Sequence, residues 1–112
     1  MKSKGQQLEW FVADTLKKVF INDHSIRPTK ASSGGVRNTE RGDIYNSSGL
    51  IIECKNWDKK NISFSLDVWN KLISQTRLGT EEVPMYIIKH PNGEIFTLLT
   101  FNDWCKLLRE RG

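Results

Sequence analysis

The chain has 112 residues, of which 38% are hydrophobic and 27% charged, and its formal net charge at pH 7 is +4. This length supports one hydrophobic core, so we expect a single domain across residues 1–112. No apolar run is long enough to cross a bilayer and the first residues lack the apolar segment of a signal peptide, which predicts a cytoplasmic protein without membrane contacts.

The excess of basic residues is mild, with a sequence pI near 9.2, and most of the lysines and arginines lie in the first sixty residues. A basic surface is typical of proteins that bind nucleic acids, and ordinary solubility explains a mild excess equally well. Cys54 and Cys105 are predicted to be reduced thiols in the core, because disulfides are rare in intracellular proteins.

The first predicted element is a helix from about Lys4 to Phe20. Its apolar residues recur at spacings of three and four and form a stripe toward the core, consisting of Leu8, Phe11, Val12, Leu16, Val19 and Phe20. Glu9 lies at the edge of this inward face. A carboxylate there needs a partner, because an unpaired buried charge is costly. The alternative is an edge residue that reaches water or pairs with a lysine.

A turn over residues 22–25, with His24 on the surface, leads into a predicted strand from about Ile26 to Ala31. A loop follows, made of Ser32-Ser33-Gly34-Gly35 and a polar, basic segment from Val36 to Gly42. Its glycines permit close approach of the backbone to a ligand. A flexible connector is the alternative interpretation.

The stretch from Arg41 to Asn56 predicts two short strands joined by a tight turn around residues 46–49. Successive strand residues face opposite sides, so Glu53 and Lys55 project together while Cys54 points the other way. Pairing of the two strands in register would place Asp43 across from the Glu53 region, at a distance that suits shared coordination of a cation.

The second half of the chain predicts a helix, two strands and a final helix. The first of these helices has Ser65 as a cap, Gly79 as its end and a core stripe that includes Leu66, Trp69, Leu72 and Ile73. The four elements are Phe64 to Leu78, Met85 to His90, Glu94 to Leu99 and Phe101 to about Arg109, the last with Phe101, Trp104, Cys105 and Leu108 as its apolar face.

The expected order is therefore α-β-β-β-α-β-β-α, an α/β fold with a mixed sheet flanked by helices. In this fold three acidic residues and one lysine are expected to converge: Glu9, Asp43, Glu53 and Lys55. Carboxylate oxygens suit Mg²⁺ or Mn²⁺, and magnesium commonly keeps waters and substrate phosphate oxygens among its ligands. This chemistry favours phosphodiester hydrolysis, in which a metal activates water and Lys55 orients the water or steadies the developing anion.

Asp43 followed by Glu53-Cys54-Lys55 resembles the motif of the PD-(D/E)XK nuclease superfamily. The compact size and element order are most similar to archaeal-type Holliday junction resolvases and their phage and bacterial relatives. Those proteins have an acidic residue on the first helix, matched by Glu9, and a Ser/Gly loop before the Asp, matched by Ser32-Ser33-Gly34-Gly35. The resemblance spans about Gly5 to Lys89. The motif position that gives the superfamily its proline holds Gly42 here.

The resemblance implies a restriction-endonuclease-like fold, a Mg²⁺ cofactor that Mn²⁺ can replace, and a homodimer acting on branched or double-stranded DNA. Asp43, Glu53 and the backbone carbonyl of Cys54 would bind the metal, Glu9 would assist there, and Lys55 would be catalytic. The implied or predicted contacts with DNA are Ser32, Ser33, Lys30, Arg37, Arg41, Lys71 and Gln75. Trp57 and Trp104 are candidates for a dimer contact, with core packing the preferred role for Trp104.

Three other interpretations stay open on sequence alone. The first is a nuclease of the same superfamily acting on linear or nicked DNA in restriction, repair or phage DNA processing. The second is a nuclease-like fold that only binds DNA. The third is a small basic α/β domain in which Glu-x-Lys, a pattern of two common residues, occurs by coincidence as a surface pair.

Overall fold

The computed structural model describes residues 3–29, 42–77 and 79–111, and it confirms the α/β class. The expected strand end at Ala31 and the predicted DNA contacts Lys30, Ser32, Ser33, Arg37 and Arg41 lie outside these residues. The elements in chain order are α1 Lys4–Val19, β1 Arg27–Pro28, β2 Ile44–Tyr45, β3 Leu50–Asn56, α2 Leu66–Ile73, β4 Val83–Lys89, β5 Ile95–Leu98 and α3 Phe101–Arg111.

The main sheet is mixed and has the strand order β3-β4-β5. Strands β3 and β4 are parallel, with Glu53 opposite Tyr86, whereas β4 and β5 are antiparallel. Because parallel neighbours need a crossover, the chain leaves β3 through α2 before it returns along β4. A separate two-stranded antiparallel sheet joins β1 to β2.

The main core lies between α1 and one face of this sheet. Even-numbered residues of β3 point into it, and Ile52 is fully buried. Helix α1 contributes Leu8, Val12 and Ala13, and the other buried members are Ile26, Ile44, Leu50, Val83 and Ile87. The predicted α1 stripe is correct for its inner residues only, since Phe11 and Val19 are 57% and 65% exposed.

The opposite face of the sheet is covered only in part. Helix α2 is eight residues long and packs Trp69 and Leu72 against Ile51. Beyond it lies an open apolar groove of about 340 Å³, lined among others by Phe64, Val68, Phe96 and Leu98, all of them exposed. We call these four side chains and the groove between them the open apolar face.

The predicted pairing of Arg41–Asn56 as a hairpin is wrong. Strand β2 pairs with β1, and the ladder of β3 is with β4. The Asn46 side chain takes the place of ladder bonds at the turn: its Nδ2 donates to the Leu50 carbonyl at 2.8 Å and its Oδ1 accepts from Leu50 N–H at 3.1 Å. A side chain that satisfies the backbone locally competes with strand pairing in this way.

The bounds of α2 also differ from the prediction. Ser65 caps the helix as predicted, but the helix ends at Ile73 and not near Gly79. Hydroxyls at its end bond back to the helix, Ser74 to the Lys71 carbonyl and Thr76 to that of Ile73, which is typical of helix termination. Leu66, predicted to face the core, is 65% exposed because it lies at the first turn.

Helix α3 begins at the predicted residue, but its apolar face does not enter the core. Phe101, Trp104 and Leu108 are 77%, 49% and 46% exposed, so the predicted core packing of Trp104 is wrong. The helix is attached to the segment before β4 by Lys106, whose Nζ donates to the Glu81 carbonyl at 2.9 Å. Cys54 and Cys105 are free thiols, each partly buried. No helix within the described ranges is long and apolar enough to span a membrane.

The turn after α1 is joined to the turn before β3 by one carboxylate. Asp23 accepts hydrogen bonds from Ser47 N–H at 2.9 Å and Ser48 Oγ at 2.8 Å, and from the backbone and hydroxyl of Ser25. Burial works against its ionised form, but the hydroxyl bonds from Ser25 and Ser48 and the backbone bonds outweigh it. They lower the pKa of Asp23 to about 2.

We expect Asp23→Asn to reduce the free energy of unfolding by about 1 kcal/mol at pH 7, a value kept small because this carboxylate is largely open to solvent. A carboxylate whose pKa is lowered by folding stabilises the protein above its unfolded value near 4, and this stabilisation is lost as pH falls toward 2. The difference between wild type and variant in urea denaturation should therefore shrink across that range. Asp14→Asn on the exposed side of α1 is the control, and a difference independent of pH would contradict the prediction.

Candidate active site

Strand β3 places the predicted Glu-x-Lys pair as its alternation requires. Glu53 and Lys55 share the face of Ile51, with Glu53 partly buried and Lys55 exposed. Cys54 points to the opposite face and packs against the main core. Among the described strands β3 pairs with β4 alone, so its other edge is open to the loop that carries Asp43.

Asp43 is fastened to this open edge through its backbone and its side chain. Its N–H donates to the Ile52 carbonyl at 2.6 Å and its carbonyl accepts from Thr29 N–H at 2.9 Å. Its Oδ2 accepts from Cys54 N–H at 2.8 Å. Glu53 lies between the two β3 residues that hold Asp43, so the predicted proximity of Asp43 to the Glu53 region is confirmed, through loop hydrogen bonds instead of a strand ladder.

Gly42 explains how the chain reaches this position. Its φ is +68°, and a Cβ on it would lie 2.7 Å from the Ile52 carbonyl oxygen. Both features demand glycine, and a proline, whose φ is fixed near −65°, would not fit this backbone. The departure from the motif at this position therefore follows from how closely the loop packs on β3.

The three predicted carboxylates lie within electrostatic range of one another. Burial, followed by the charges of Asp43 and Glu9, raises the pKa of Glu53 to about 7, against the smaller opposing effects of Lys71 and Lys55. Burial raises the pKa of Asp43 as well, although the bond from Cys54 N–H opposes this. Burial and the Asp43 charge raise the pKa of Glu9. Glu9 from α1 thus acts electrostatically on both Asp43 and Glu53.

The donor set fits a hard divalent cation, although the fit is incomplete. In the described parts of the chain no group of three or more His, Cys, Asp and Glu side chains is placed to hold a metal ion together. Magnesium needs only one or two carboxylates when waters and phosphate oxygens complete its shell. Asp43 and Glu53 supply that number. The Cys54 carbonyl is a plausible third ligand, because its N–H faces Asp43 and both backbone groups of a strand residue point to the same edge.

Two of the predicted DNA contacts are described, and both lie at this site. Lys71 of α2 is near enough to Glu53 to lower its pKa. Gln75, just beyond α2, accepts a hydrogen bond from Gly42 N–H at its Oε1, at 2.9 Å. A side chain that is hydrogen-bonded to the backbone in this way acts on the position of the loop before Asp43.

Sequence reasoning missed Thr29 and Tyr86. Thr29 bonds to the carbonyls of both Gly42 and Asp43, but no sequence pattern marks a threonine before a loop as a partner of residues so far along the chain. Tyr86 lies opposite Glu53 in the parallel ladder, and burial, then the charges of Glu53 and Asp43, raises the pKa of its hydroxyl. The register of β3 against β4 would have identified it.

The chain matches no protein-family model, and no curated protein or solved structure is detectably similar to it. The resemblance to the nuclease superfamily therefore rests on the site residues and their order, and it stays a prediction.

We expect Glu53→Gln to stabilise the protein at pH 8 in chelator, by about 1 kcal/mol after allowance for partial exposure. A carboxylate whose pKa is raised on folding makes the folded state less stable as pH rises from its unfolded value, 4.5, through its folded value, about 7. The gain should therefore vanish below pH 4.5. Denaturation at pH 4.5 and pH 8 measures it, with exposed Glu94→Gln as control. A loss of stability at pH 8 would contradict the electrostatic account of the site.

Proposed function

We propose that this protein is a Mg²⁺-dependent endonuclease acting on branched DNA, of the Holliday junction resolvase type, with a role in DNA recombination and repair. The observation that carries the proposal is the position of Asp43 against the β3 residues on either side of Glu53, with Glu9 and Lys55 within electrostatic range. Mutually repelling carboxylates are costly to the fold, and perturbed pKa values of this kind concentrate at functional sites.

In this proposal Asp43, Glu53 and the Cys54 carbonyl hold Mg²⁺, and Mn²⁺ can replace it. When bound, the metal supplies a water of lowered pKa and neutralises charge that develops on the phosphate. The Asp43 carboxylate is already oriented for this by the Cys54 N–H bond to Oδ2, which leaves Oδ1 available. Glu53, with its pKa near 7, is ionised in the presence of a cation.

The remaining residues act on the water and on the DNA. Glu9 assists at the metal, and the exposed ammonium of Lys55 orients the water or steadies the developing anion. Lys71 contacts a phosphate beside Glu53. Lys30, Ser32, Ser33, Arg37 and Arg41 belong to the segment that ends at Gly42, so the chain joins these proposed DNA contacts directly to Asp43. The net charge of +4 favours a polyanionic partner.

Paired nicks in a four-way junction need two active sites related by a two-fold axis, so the proposal includes a homodimer. The open apolar face supports it. Strand β5 carries no charged residue and pairs only with β4 among the described strands. Such an edge is prone to pair with another chain, and antiparallel pairing of β5 with its own copy has two-fold symmetry.

The proposed activity predicts Mg²⁺-dependent, symmetric nicks in a labelled four-way junction and no cutting of the matching linear duplex. Asp43→Asn and Glu53→Gln each remove one ligand charge, so we expect each to lower the cleavage rate at least about a hundredfold. Glu94→Gln is the matched control and should cut as the wild type does. Single-turnover cleavage followed on denaturing gels measures all three.

Other outcomes separate the alternatives. Cutting of both the junction and the linear duplex would favour the general nuclease. Tight binding without cutting in either Mg²⁺ or Mn²⁺ would leave only a DNA-binding module. Activity of both ligand variants at the wild-type rate would show that the carboxylate group is not the catalytic site.

The homodimer is tested by replacing Phe96, which is 46% exposed on the open apolar face. We expect sedimentation velocity to show a dimer for the wild type and a monomer for Phe96→Ser, because a polar residue at the centre of an apolar interface weakens association. Phe11→Ser replaces a similarly exposed phenylalanine on α1 and should leave the dimer intact. A monomeric wild type at micromolar concentration would overturn this part of the proposal.

A further inference from the structure

Gln75 lies two residues after the end of α2. The packing of α2 against the sheet fixes this part of the chain. Its N–H donates to the Leu72 carbonyl at 3.1 Å. Leu72 is 2% exposed and Trp69, one turn earlier, is 8% exposed. Both pack against Ile51 of β3. The position of Gln75 is therefore fixed relative to the strand that carries Glu53.

The side chain of Gln75 extends from this anchor to the loop before Asp43, where its Oε1 accepts the Gly42 N–H at 2.9 Å. The Gly42 carbonyl is held from the other side by Thr29 Oγ1 at 3.0 Å. The peptide groups on both sides of Gly42 are thus hydrogen-bonded to residues distant in the sequence. The backbone that leads into Asp43 therefore has a fixed position.

The hydrogen bonds of Gly42 hold the loop against electrostatic repulsion between carboxylates. Asp43 is placed beside Glu53 and within electrostatic range of Glu9, and each of these carboxylates raises the free energy of the others. Movement of the loop off the edge of β3 would relieve that repulsion. A neutral amide oxygen holds the loop without adding a further negative charge to the site.

We propose that Gln75 is a positioning residue, which holds Gly42 so that Asp43 and Glu53 stay close enough to bind one divalent cation. The inference rests on the proposed nuclease function, since it assigns Gln75 to the metal site of that function. In this role Gln75 connects α2 to Asp43, and it does not contact the DNA.

The test compares Mn²⁺ binding by wild type and Gln75→Met, measured by electron paramagnetic resonance titration of the full chain. Methionine has nearly the same length but offers no accepting oxygen of this kind. We expect the dissociation constant for Mn²⁺ to rise about tenfold or more, as is typical when a residue supporting a metal ligand is lost. Amide hydrogen exchange at Gly42, measured without metal, should become faster in the same variant.

Two further variants separate positioning from simple support of the fold. Gln75→Glu keeps an accepting oxygen at the same reach, so it should restore the protection of the Gly42 amide that Gln75→Met loses. Thr76→Ala removes a hydrogen bond from the same turn and should lower the melting temperature with Mn²⁺ affinity unchanged. Gln75→Asn, one methylene too short to reach Gly42, repeats the test in case Gln75→Met does not fold.

The outcomes distinguish this inference from the function on which it rests. Equal Mn²⁺ affinity in wild type, Gln75→Met and Gln75→Asn would overturn the positioning role alone. The same would follow if Thr76→Ala weakened Mn²⁺ binding as much as Gln75→Met, because the effect would then come from stability of the turn. A wild type that binds no Mn²⁺ would overturn the proposed function, and the role of Gln75 with it.

Discussion

The attachment of Asp43 to strand β3 is the constraint on which the candidate site depends. It places two carboxylates side by side, and burial together with this repulsion costs the fold about 1 kcal/mol at Glu53 after allowance for its exposure. The neighbours that enforce this are apolar: Ile44 follows Asp43 and Ile52 precedes Glu53, and both are buried in the same core. Each buried isoleucine stabilises the fold by about 1.5–3 kcal/mol. Packing beneath the site therefore outweighs the repulsion within it.

The same strand divides the molecule into a closed side and an open side. Even-numbered residues of β3 enter the main core beneath α1, while odd-numbered residues face α2. Because α2 has only two buried side chains, Trp69 and Leu72, it covers Ile51 and part of Tyr86 but leaves Phe96 and Leu98 of β5 exposed. Glu53 and Lys55 thus lie on the side that remains accessible, at the boundary between a packed helix and the open apolar face.

How much the sequence predicted varies with the range of the interaction. The alternation of β3 correctly predicted that Glu53 and Lys55 share one face and that Cys54 lies on the other. The Ser65 cap was also predicted correctly. Both features depend only on neighbouring residues. The predicted partner of β2 was wrong. The side chain of Asn46 satisfies the backbone groups of the turn, so the pairing of β2 is left to residues distant in the sequence. Trp104 was assigned to the core because a stripe of apolar residues on a helix does not reveal whether another element covers it. The bond from Gly42 to Gln75 spans 33 positions, and no local pattern predicts it.

The charge balance of the site supports the proposed functional role of its carboxylates over a structural one. A structural ion pair would leave each acid with a cation that lowers its pKa. Here Lys55 and Lys71 do act on Glu53, but the pKa of Glu53 still rises to about 7, because burial, Asp43 and Glu9 outweigh them. Asp23 shows the contrast in the same chain: it lies at a turn, where hydrogen bonds lower its pKa to about 2. The fold therefore stabilises the ionised form of the carboxylate at Asp23. At Glu53 the nearby lysines do not balance the negative charge of the carboxylates. In the proposed function, a divalent cation with its phosphate ligand would supply the missing positive charge.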